Sequence, residues 1–135
     1  MEETAIKFKE VFSGLERAHG IYEITGQKST AKGIKKDGKG RTLQEPLTLD
    51  LWQDHLKGNV SIGVIPLTDD ETCKWGCIDV DEYPIDIKNI QSIIKDMGLP
   101  LVPCMTKSGG VHLFLFTKTP IPAFKLQGKL EEIAA

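Results

Sequence analysis

The stretch Trp75–Phe116 decides the fold of this chain, and it reads WGCIDVDEYPIDIKNIQSIIKDMGLPLVPCMTKSGGVHLFLF. It holds an Asp-x-Asp pair near its beginning and a Ser-Gly-Gly-x-His turn near its end. If Gly76–Asp81 is a strand, Asp79 and Asp81 lie on the same face, about 7 Å apart along it. Two carboxylates at this spacing can jointly hold a hard divalent cation, whereas unpaired acids are costly in a core.

The rest of the stretch predicts a β-α-β-β unit. Asp86 can cap a helix that ends at Gly98, and the apolar residues between them recur at helical spacing. Leu99–Met105 is a second predicted strand, and a tight turn at Lys107–Gly110 joins it to a third, Val111–Thr117. We therefore expect an α/β (α+β) fold in which helices cover one face of a sheet. The two aspartates and His112 lie on its other face.

Composition indicates a globular chain without a general affinity for polyanions. Its 135 residues suit one domain with a real core, and 40% hydrophobic and 27% charged residues are ordinary values. The net charge of −2 argues against a protein that coats nucleic acid by charge alone, but not against a local basic site. The chain shows neither a long apolar run nor a signal-peptide pattern, so we expect a cytoplasmic protein without a membrane partner.

The cysteines favour reduced thiols over a metal site. There are three, Cys73, Cys77 and Cys104, an odd number in a chain without a signal peptide. Cys73 and Cys77 are four residues apart, but no further cysteine or histidine stands at zinc spacing. A zinc site is the weaker interpretation, and free thiols are the stronger one.

The N-terminal half predicts helices and short strands around one basic segment. We expect an amphipathic helix over Glu2–His19, a short strand at Ile21–Ile24, a helix from Thr48 to Gly58 and a strand at Val60–Leu67. After the organising stretch, Ala123–Ala135 reads as a helix that follows a rigid link containing two prolines.

Thr25–Glu45 is too long and too polar for a simple connector. It is interpreted either as a solvated loop or as a basic arm that contacts phosphates. Its candidate nucleic-acid-binding residues are Lys28, Lys32, Lys35, Lys36, Lys39 and Arg41.

The Asp-x-Asp strand, the turn and the histidine together suit nucleotide chemistry, although each is common alone. Carboxylate oxygens are the ligands that Mg²⁺ or Mn²⁺ prefers, and these ions keep positions open for phosphate. Glycines at Gly109 and Gly110 let backbone N–H groups approach phosphate oxygens. Lys107 and Ser108 can add donors, and His112 can donate to a triphosphate oxygen.

At this point the sequence resembles a known family. GCIDVDEYPID followed by TKSGGVHLFLF resembles the first two motifs of the archaeo-eukaryotic primase superfamily, the primase-polymerases. The longer stretch HLKGNVSIGVIPLTDDETCKWGCIDVD is similar to the primase domains of TOTE conflict systems and of related phage, plasmid and CRISPR-associated proteins. The resemblance covers about Trp52 to Phe116 well.

The resemblance implies a single primase-polymerase domain over residues 1–135. It implies a small N-terminal α/β unit at about 1–70, an RRM-like catalytic sheet at about 71–135 and an active site between them. The implied reaction is template-directed nucleotidyl transfer to a 3′-hydroxyl, with nucleoside triphosphates and single-stranded DNA template or primer-template as partners. The residues that match the family motifs are Asp79 and Asp81 as metal ligands, Ser108 and His112 at the triphosphate, and Lys107, Gly109 and Gly110 in the turn.

One departure from the family pattern concerns a third acidic residue on a later strand. The sequence ends before such a strand, and Glu131 and Glu132 lie in a predicted helix, so neither is assigned that role. We expect the C-terminal portion of the domain to be absent from this sequence and the active site to be completed by further domains or a second chain. We expect weak or absent turnover from the chain alone.

Two other functions stay open. A non-catalytic module would hold single-stranded nucleic acid on the sheet and the basic segment, although the strands show no clear set of stacking aromatics. A metal-dependent phosphoesterase would explain the aspartates but not the Ser-Gly-Gly-x-His turn.

Overall fold

The computed structural model describes residues 2–30, 33–81, 84–106 and 109–134, with the backbone alone for residues 24, 25, 27–30 and 33–37. It is a mixed α/β structure whose described residues form four helices and two three-stranded antiparallel sheets. The chain divides into two compact units, Met1–Asp69 and Asp70–Ala135. In the described parts of the chain, no helix has the length and apolar character needed to cross a membrane.

The first unit packs two helices beside a three-stranded antiparallel sheet. Its helices contact each other through an aromatic cluster in which the rings of Phe8 and Phe12 lie 6.0 Å and 6.5 Å from the ring of the buried Trp52. The elements in chain order are α1 (Glu2–Val11), β1 (His19–Thr30), β2 (Gly33–Leu43), α2 (Leu49–Leu56) and β3 (Ser61–Gly63). The strand order of the sheet is β2-β1-β3.

Local signals place α2 as the sequence predicts. The Thr48 hydroxyl accepts a hydrogen bond from the Leu51 N–H at 3.3 Å, which satisfies one of the free donors at the helix start. Gly58 follows the helix with φ +83°, a conformation that favours glycine.

The first helix is shorter than predicted. It ends at Val11 rather than near His19, because Ser13 and Gly14 are poor helix formers and this segment pairs with another part of the chain. The Leu15 N–H donates to the Ile65 carbonyl at 2.8 Å. That pairing also limits the strand expected at Val60–Leu67, of which only β3 pairs with β1.

Gly14 permits this close approach. A Cβ placed on Gly14 would collide with the Ile65 carbonyl, which is backbone and cannot rotate away. We expect Gly14→Ala to destabilise the first unit by about 1–3 kcal/mol, the usual cost of overpacking. Denaturant unfolding followed by Trp52 fluorescence, in a Trp75→Phe background, measures this change.

Gly26→Ala is the matched control, since a Cβ at Gly26 meets nothing within 4 Å. The denaturant midpoint of the Gly26→Ala variant should stay close to that of the parent protein. Equal midpoints for the Gly14 and Gly26 variants would contradict the steric explanation.

The loop interpretation of Thr25–Glu45 is wrong. Most of this segment forms β1 and β2, an antiparallel pair that runs from His19 opposite Leu43 to Thr30 opposite Gly33. Backbone hydrogen bonds hold the two strands together, and almost any sequence can make them. Because this strand pair has no apolar face, its composition resembles that of a loop. The strand predicted at Ile21–Ile24 is the middle of β1.

Glycines let one aromatic side chain cover this ribbon. The ring of Tyr22 lies so close to Gly38 that a Cβ there would collide with it, and it also approaches Gly40 on the paired strand. An aromatic ring over a cross-strand glycine shields backbone that no side chain would otherwise cover.

The second unit has the predicted β-α-β-β order followed by a further helix. The elements are β4 (Thr72–Val80), α3 (Ile87–Met97), β5 (Val102–Met105), β6 (Val111–Pro122) and α4 (Ala123–Ala134). The central strand is β6, and the strand order is β4-β6-β5.

Both predicted helix signals around α3 are confirmed. The Asp86 carboxylate accepts from the N–H groups of Lys88 and Asn89 at 3.1 Å and 3.3 Å, and Gly98 ends the helix with φ +63°. The helix predicted from Ala123 is also confirmed. β5 begins only at Val102, three residues later than expected, and β6 extends through the predicted proline link to Pro122.

Helices α3 and α4 cover one face of this sheet. The buried residues of the core on that side are Cys73, Leu101, Val111, Leu113, Leu115 and Leu126. Gly76 lets α4 approach β4, because the nearest atoms to a Cβ there would be side-chain carbons of Leu126 and Leu130. We call this side of the sheet the helix face and the other side the opposite face.

Candidate functional site

The predicted site residues come together on the opposite face through the pairing of β4 and β6. Asp79 lies directly across from His112, whose Nε2 is 3.6 Å from the Asp79 Oδ1. Cys104 of β5, the strand that pairs with the other edge of β6, also lies directly opposite His112. The side chains of Asp79 and His112 are 67% and 43% exposed, so both are open to a ligand.

Asp81 lies just beyond the end of β4 and is exposed. Strand alternation would place it on the same side as Asp79 if the extended conformation continues. Within the described ranges, no three His, Cys, Asp or Glu side chains are arranged to hold a metal ion. Among the described residues, the acidic part of the site therefore consists of the two aspartates.

Thr106 organises the turn before β6. Its N–H donates to the Gly110 carbonyl at 2.8 Å, and its hydroxyl accepts from the Gly110 N–H at 2.9 Å. The Gly109 N–H donates to the Thr106 carbonyl at 3.1 Å, and Gly109 has φ +86°. The predicted Lys107 and Ser108 lie outside the described residues.

These hydrogen bonds change the expected role of the two glycines. Their N–H groups were expected to bind phosphate, but both already donate to Thr106 within the turn. Gly109 supplies a left-handed conformation that other residues rarely adopt. The glycines therefore shape the turn and fix the start of β6 at Val111, one residue before His112. Sequence reasoning missed Thr106, although a hydroxyl residue four positions before a glycine was a usable signal.

Aromatic side chains continue along the opposite face beside His112. The His112 ring meets the ring of Phe114 edge-on at 5.8 Å, which restrains the orientation of the imidazole. Phe114 also contacts Trp75 and Phe116, each with ring centroids 5.9 Å apart. All three are half-buried. The pairing of β4 with β6 thus places Trp75 beside Phe114 and Phe116 in one aromatic row.

A β-bulge separates Cys73 from Cys77. The register of β4 with β6 shifts between Cys73 and Trp75, so Cys73 enters the core while Cys77 lies on the opposite face. The two thiols cannot share a zinc ion from opposite faces of one strand. All three cysteines are free.

The pKa of the Cys77 thiol depends partly on the charge of Asp79. Burial raises the pKa of Cys77 most, and the negative charge of Asp79 raises it further. A backbone hydrogen bond from Leu113 acts in the other direction, and Cys104 adds a smaller upward effect. Cys77 is therefore an internal reporter of the charge at Asp79.

The basic segment belongs to the first unit. Its described basic side chains are those of Lys39 and Arg41, and the Arg41 guanidinium donates to the Glu23 carboxylate at 3.0 Å. An exposed ion pair of this kind is weak and can open for a phosphate. The other predicted contacts at Lys28, Lys32, Lys35 and Lys36 lie outside the described side chains.

The sequence matches the family of the TOTE conflict system, Archaeo-Eukaryotic Primase domain, over residues 9–134. No curated protein matches it. The family links the chain to primase-like nucleotidyl transfer in general. Because this match covers nearly the whole sequence, the chain belongs to the archaeo-eukaryotic primase domain family of the TOTE conflict system.

Proposed function

We propose that this chain is the metal- and nucleotide-binding part of a DNA primase-polymerase that performs template-directed nucleotidyl transfer to a 3′-hydroxyl. The observation that supports it best is the cross-strand pair of Asp79 and His112 on one face, 3.6 Å apart, in a primase-family chain. We further propose that the sheet of β4, β6 and β5 is the RRM-like catalytic sheet of the family.

The donor set suits Mg²⁺ or Mn²⁺. Asp79 and Asp81 are exposed carboxylates, and Mg²⁺ is commonly bound through one or two carboxylates, with waters and substrate phosphates completing an octahedron. When bound, such an ion neutralises phosphate charge and increases the acidity of a coordinated hydroxyl. Further domains or a second chain would supply any additional carboxylate.

His112 is suited to hold the triphosphate. Its ring is fixed by the backbone pairing of β6 and by edge contact with Phe114, and its Nε2 faces the same side as Asp79. An N–H at that atom can donate to a phosphate oxygen drawn to the aspartates by a cation. Lys107 and Ser108 are proposed to add donors, as the family motif implies.

Primer extension tests this function. The chain is incubated with a primed single-stranded DNA template and Mn²⁺, using four templates that differ in the first unpaired base. We expect slow addition of the complementary nucleotide alone, and none with a chelator. Addition that ignores the template base, or that persists with the chelator, would refute the proposed reaction.

Mg²⁺ should accelerate alkylation of Cys77. A cation at Asp79 offsets the charge that raises the pKa of Cys77, so the reactive thiolate fraction at pH 8 increases. We expect a rise of about two- to tenfold, since one pKa unit changes that fraction up to tenfold. Mass spectrometry of the modified peptides measures the rate at each cysteine.

Cys73 is the internal reference, because the pKa of its thiol is raised by burial alone. Asp79→Asn should react faster at Cys77 without Mg²⁺ and should not respond to the ion. A Cys77 rate that is independent of Mg²⁺ in the parent protein would argue against a cation at Asp79.

The aromatic row supports a second candidate, a module that binds single-stranded nucleic acid without catalysis. Trp75, Phe114 and Phe116 lie along one face, and aromatic side chains of this kind stack on bases without regard to sequence. This function predicts binding of single-stranded DNA in the presence of a chelator, with strong salt dependence. Binding that requires the divalent ion would exclude it.

A further inference from the structure

Thr106 holds the turn before β6 through all three of its polar groups. Its N–H donates to the Gly110 carbonyl at 2.8 Å, its carbonyl accepts from the Gly109 N–H at 3.1 Å, and its hydroxyl accepts from the Gly110 N–H at 2.9 Å. Facing residues of a plain antiparallel pair exchange two backbone hydrogen bonds. Between Thr106 and Gly110, the second of these bonds runs to the side-chain hydroxyl instead of the carbonyl.

This substitution leaves the Thr106 carbonyl to close the turn. The carbonyl accepts from Gly109, three residues further on, which is the hydrogen bond that closes a β-turn. Gly109 has φ +86°, and a left-handed residue after the turn is a common way to enter a hairpin. Without the hydroxyl, the N–H of the buried Gly110 would either lack an acceptor or take the carbonyl from Gly109. One side-chain oxygen therefore determines which turn forms.

The hydroxyl acts on the turn rather than on the histidine that follows it. Strand pairing on both sides of β6 holds His112 independently of Thr106. The turn itself carries Lys107 and Ser108, the donors proposed for the triphosphate. Affinity rises when binding groups are held in place before the ligand arrives. The conformation of the turn should therefore affect triphosphate binding directly.

We propose that Thr106 is a positioning residue for the triphosphate, and that its hydroxyl holds the turn of residues 107–109 in the phosphate-binding conformation by accepting the Gly110 N–H. Thr106 acts through the turn and does not itself touch the nucleotide. This inference rests on the proposed function, because it concerns the same triphosphate. It assigns a need for a hydroxyl group to a position ahead of the Ser-Gly-Gly-x-His motif.

Thr106→Val and Thr106→Ser form a matched pair of variants. Valine keeps the shape of threonine without the acceptor, and serine keeps the acceptor without the methyl group. In calorimetry of the full chain with a nucleoside triphosphate and Mn²⁺, we expect Thr106→Val to bind at least about tenfold more weakly than the parent protein. Thr106→Ser should bind within about twofold of the parent protein. Mn²⁺ alone, followed by the EPR signal of the free ion, should bind equally to all three proteins, since the aspartates are unchanged.

A second change in the same turn decides the matter if Thr106→Val does not fold. Gly109→Ala forces a side chain into the left-handed conformation, at an exposed position where its Cβ meets nothing within 4 Å. Gly98→Ala is its matched control, because Gly98 ends α3 with φ +63° and its Cβ would also meet nothing within 4 Å. We expect Gly109→Ala to weaken triphosphate binding and Gly98→Ala to leave it unchanged.

The outcomes separate the positioning role from the proposed function. Parent-level affinity in Thr106→Val, or in Gly109→Ala if the valine variant does not fold, would overturn the positioning role and leave the proposed function standing. An equal loss in Thr106→Ser would attribute the effect to packing of the methyl group, and weaker binding of Mn²⁺ alone would attribute it to damage of the whole sheet. Either result would also overturn the role. No metal-dependent triphosphate binding by the parent protein would overturn both proposals.

Discussion

The double variant Asp79→Asn/Asp81→Asn is expected to lose metal-dependent triphosphate binding, with affinity falling at least about a hundredfold, or about 2.7 kcal/mol. Neutral amides are poor ligands for Mg²⁺ and do not offset the repulsion of the triphosphate. Calorimetry with a nucleoside triphosphate and Mn²⁺, repeated with chelator, measures the loss. Both side chains are exposed, so the fold should persist.

Asp96→Asn is the matched control, because Asp96 is an exposed aspartate on α3 of the same unit. It removes one negative charge without touching the site, so its affinity should equal that of the parent protein. Unchanged binding in the double variant would refute the two aspartates as ligands. Equal weakening by the control would attribute the effect to net charge.

The largest stability change is expected for Leu113→Ala, which should destabilise the second unit by about 3 kcal/mol, within the usual 2–5 kcal/mol for such truncations. Leu113 is 9% exposed in the central strand and belongs to the core under α3 and α4. Strands on both sides of β6 limit how far the core can collapse into the cavity. Hydrogen exchange of the amides of β4 and β6 measures the loss within this unit.

Val102→Ala is the control for this truncation. Val102 is 49% exposed at the edge strand β5, so its removal should cost less than about 1 kcal/mol. If both variants lowered the free energy of unfolding by similar amounts, the burial of Leu113 would not explain the stability of the sheet.

Sequence reasoning succeeded where a local signal determines the structure. The caps at Thr48 and Asp86, the left-handed Gly98 and the alternation of Asp79 with its neighbours each depend on residues a few positions apart. The β-α-β-β order and the facing of Asp79 and His112 followed from these signals. Belonging to the primase family followed from motif order.

The failures concern contacts between distant parts of the chain. The early end of α1 depends on the approach of Gly14 to Ile65, and no periodicity in Glu2–His19 signals it. Backbone hydrogen bonds hold β1 and β2 together, and the polar composition of these strands gives no sign of that pairing. The bulge after Cys73 changes which face each later residue occupies, and it is a tertiary feature.

The strand register determines which side chains reach this site, because successive residues of a strand lie on opposite faces of the sheet. Asp79 and His112 are opposite each other because each strand contributes every second residue to the face, so one inserted residue after Trp75 would reverse the sides of both aspartates. Substitutions along β4 should therefore be better tolerated than single-residue insertions or deletions. The bulge before Trp75 has already absorbed one such step, so length variation ahead of it is compatible with an intact site.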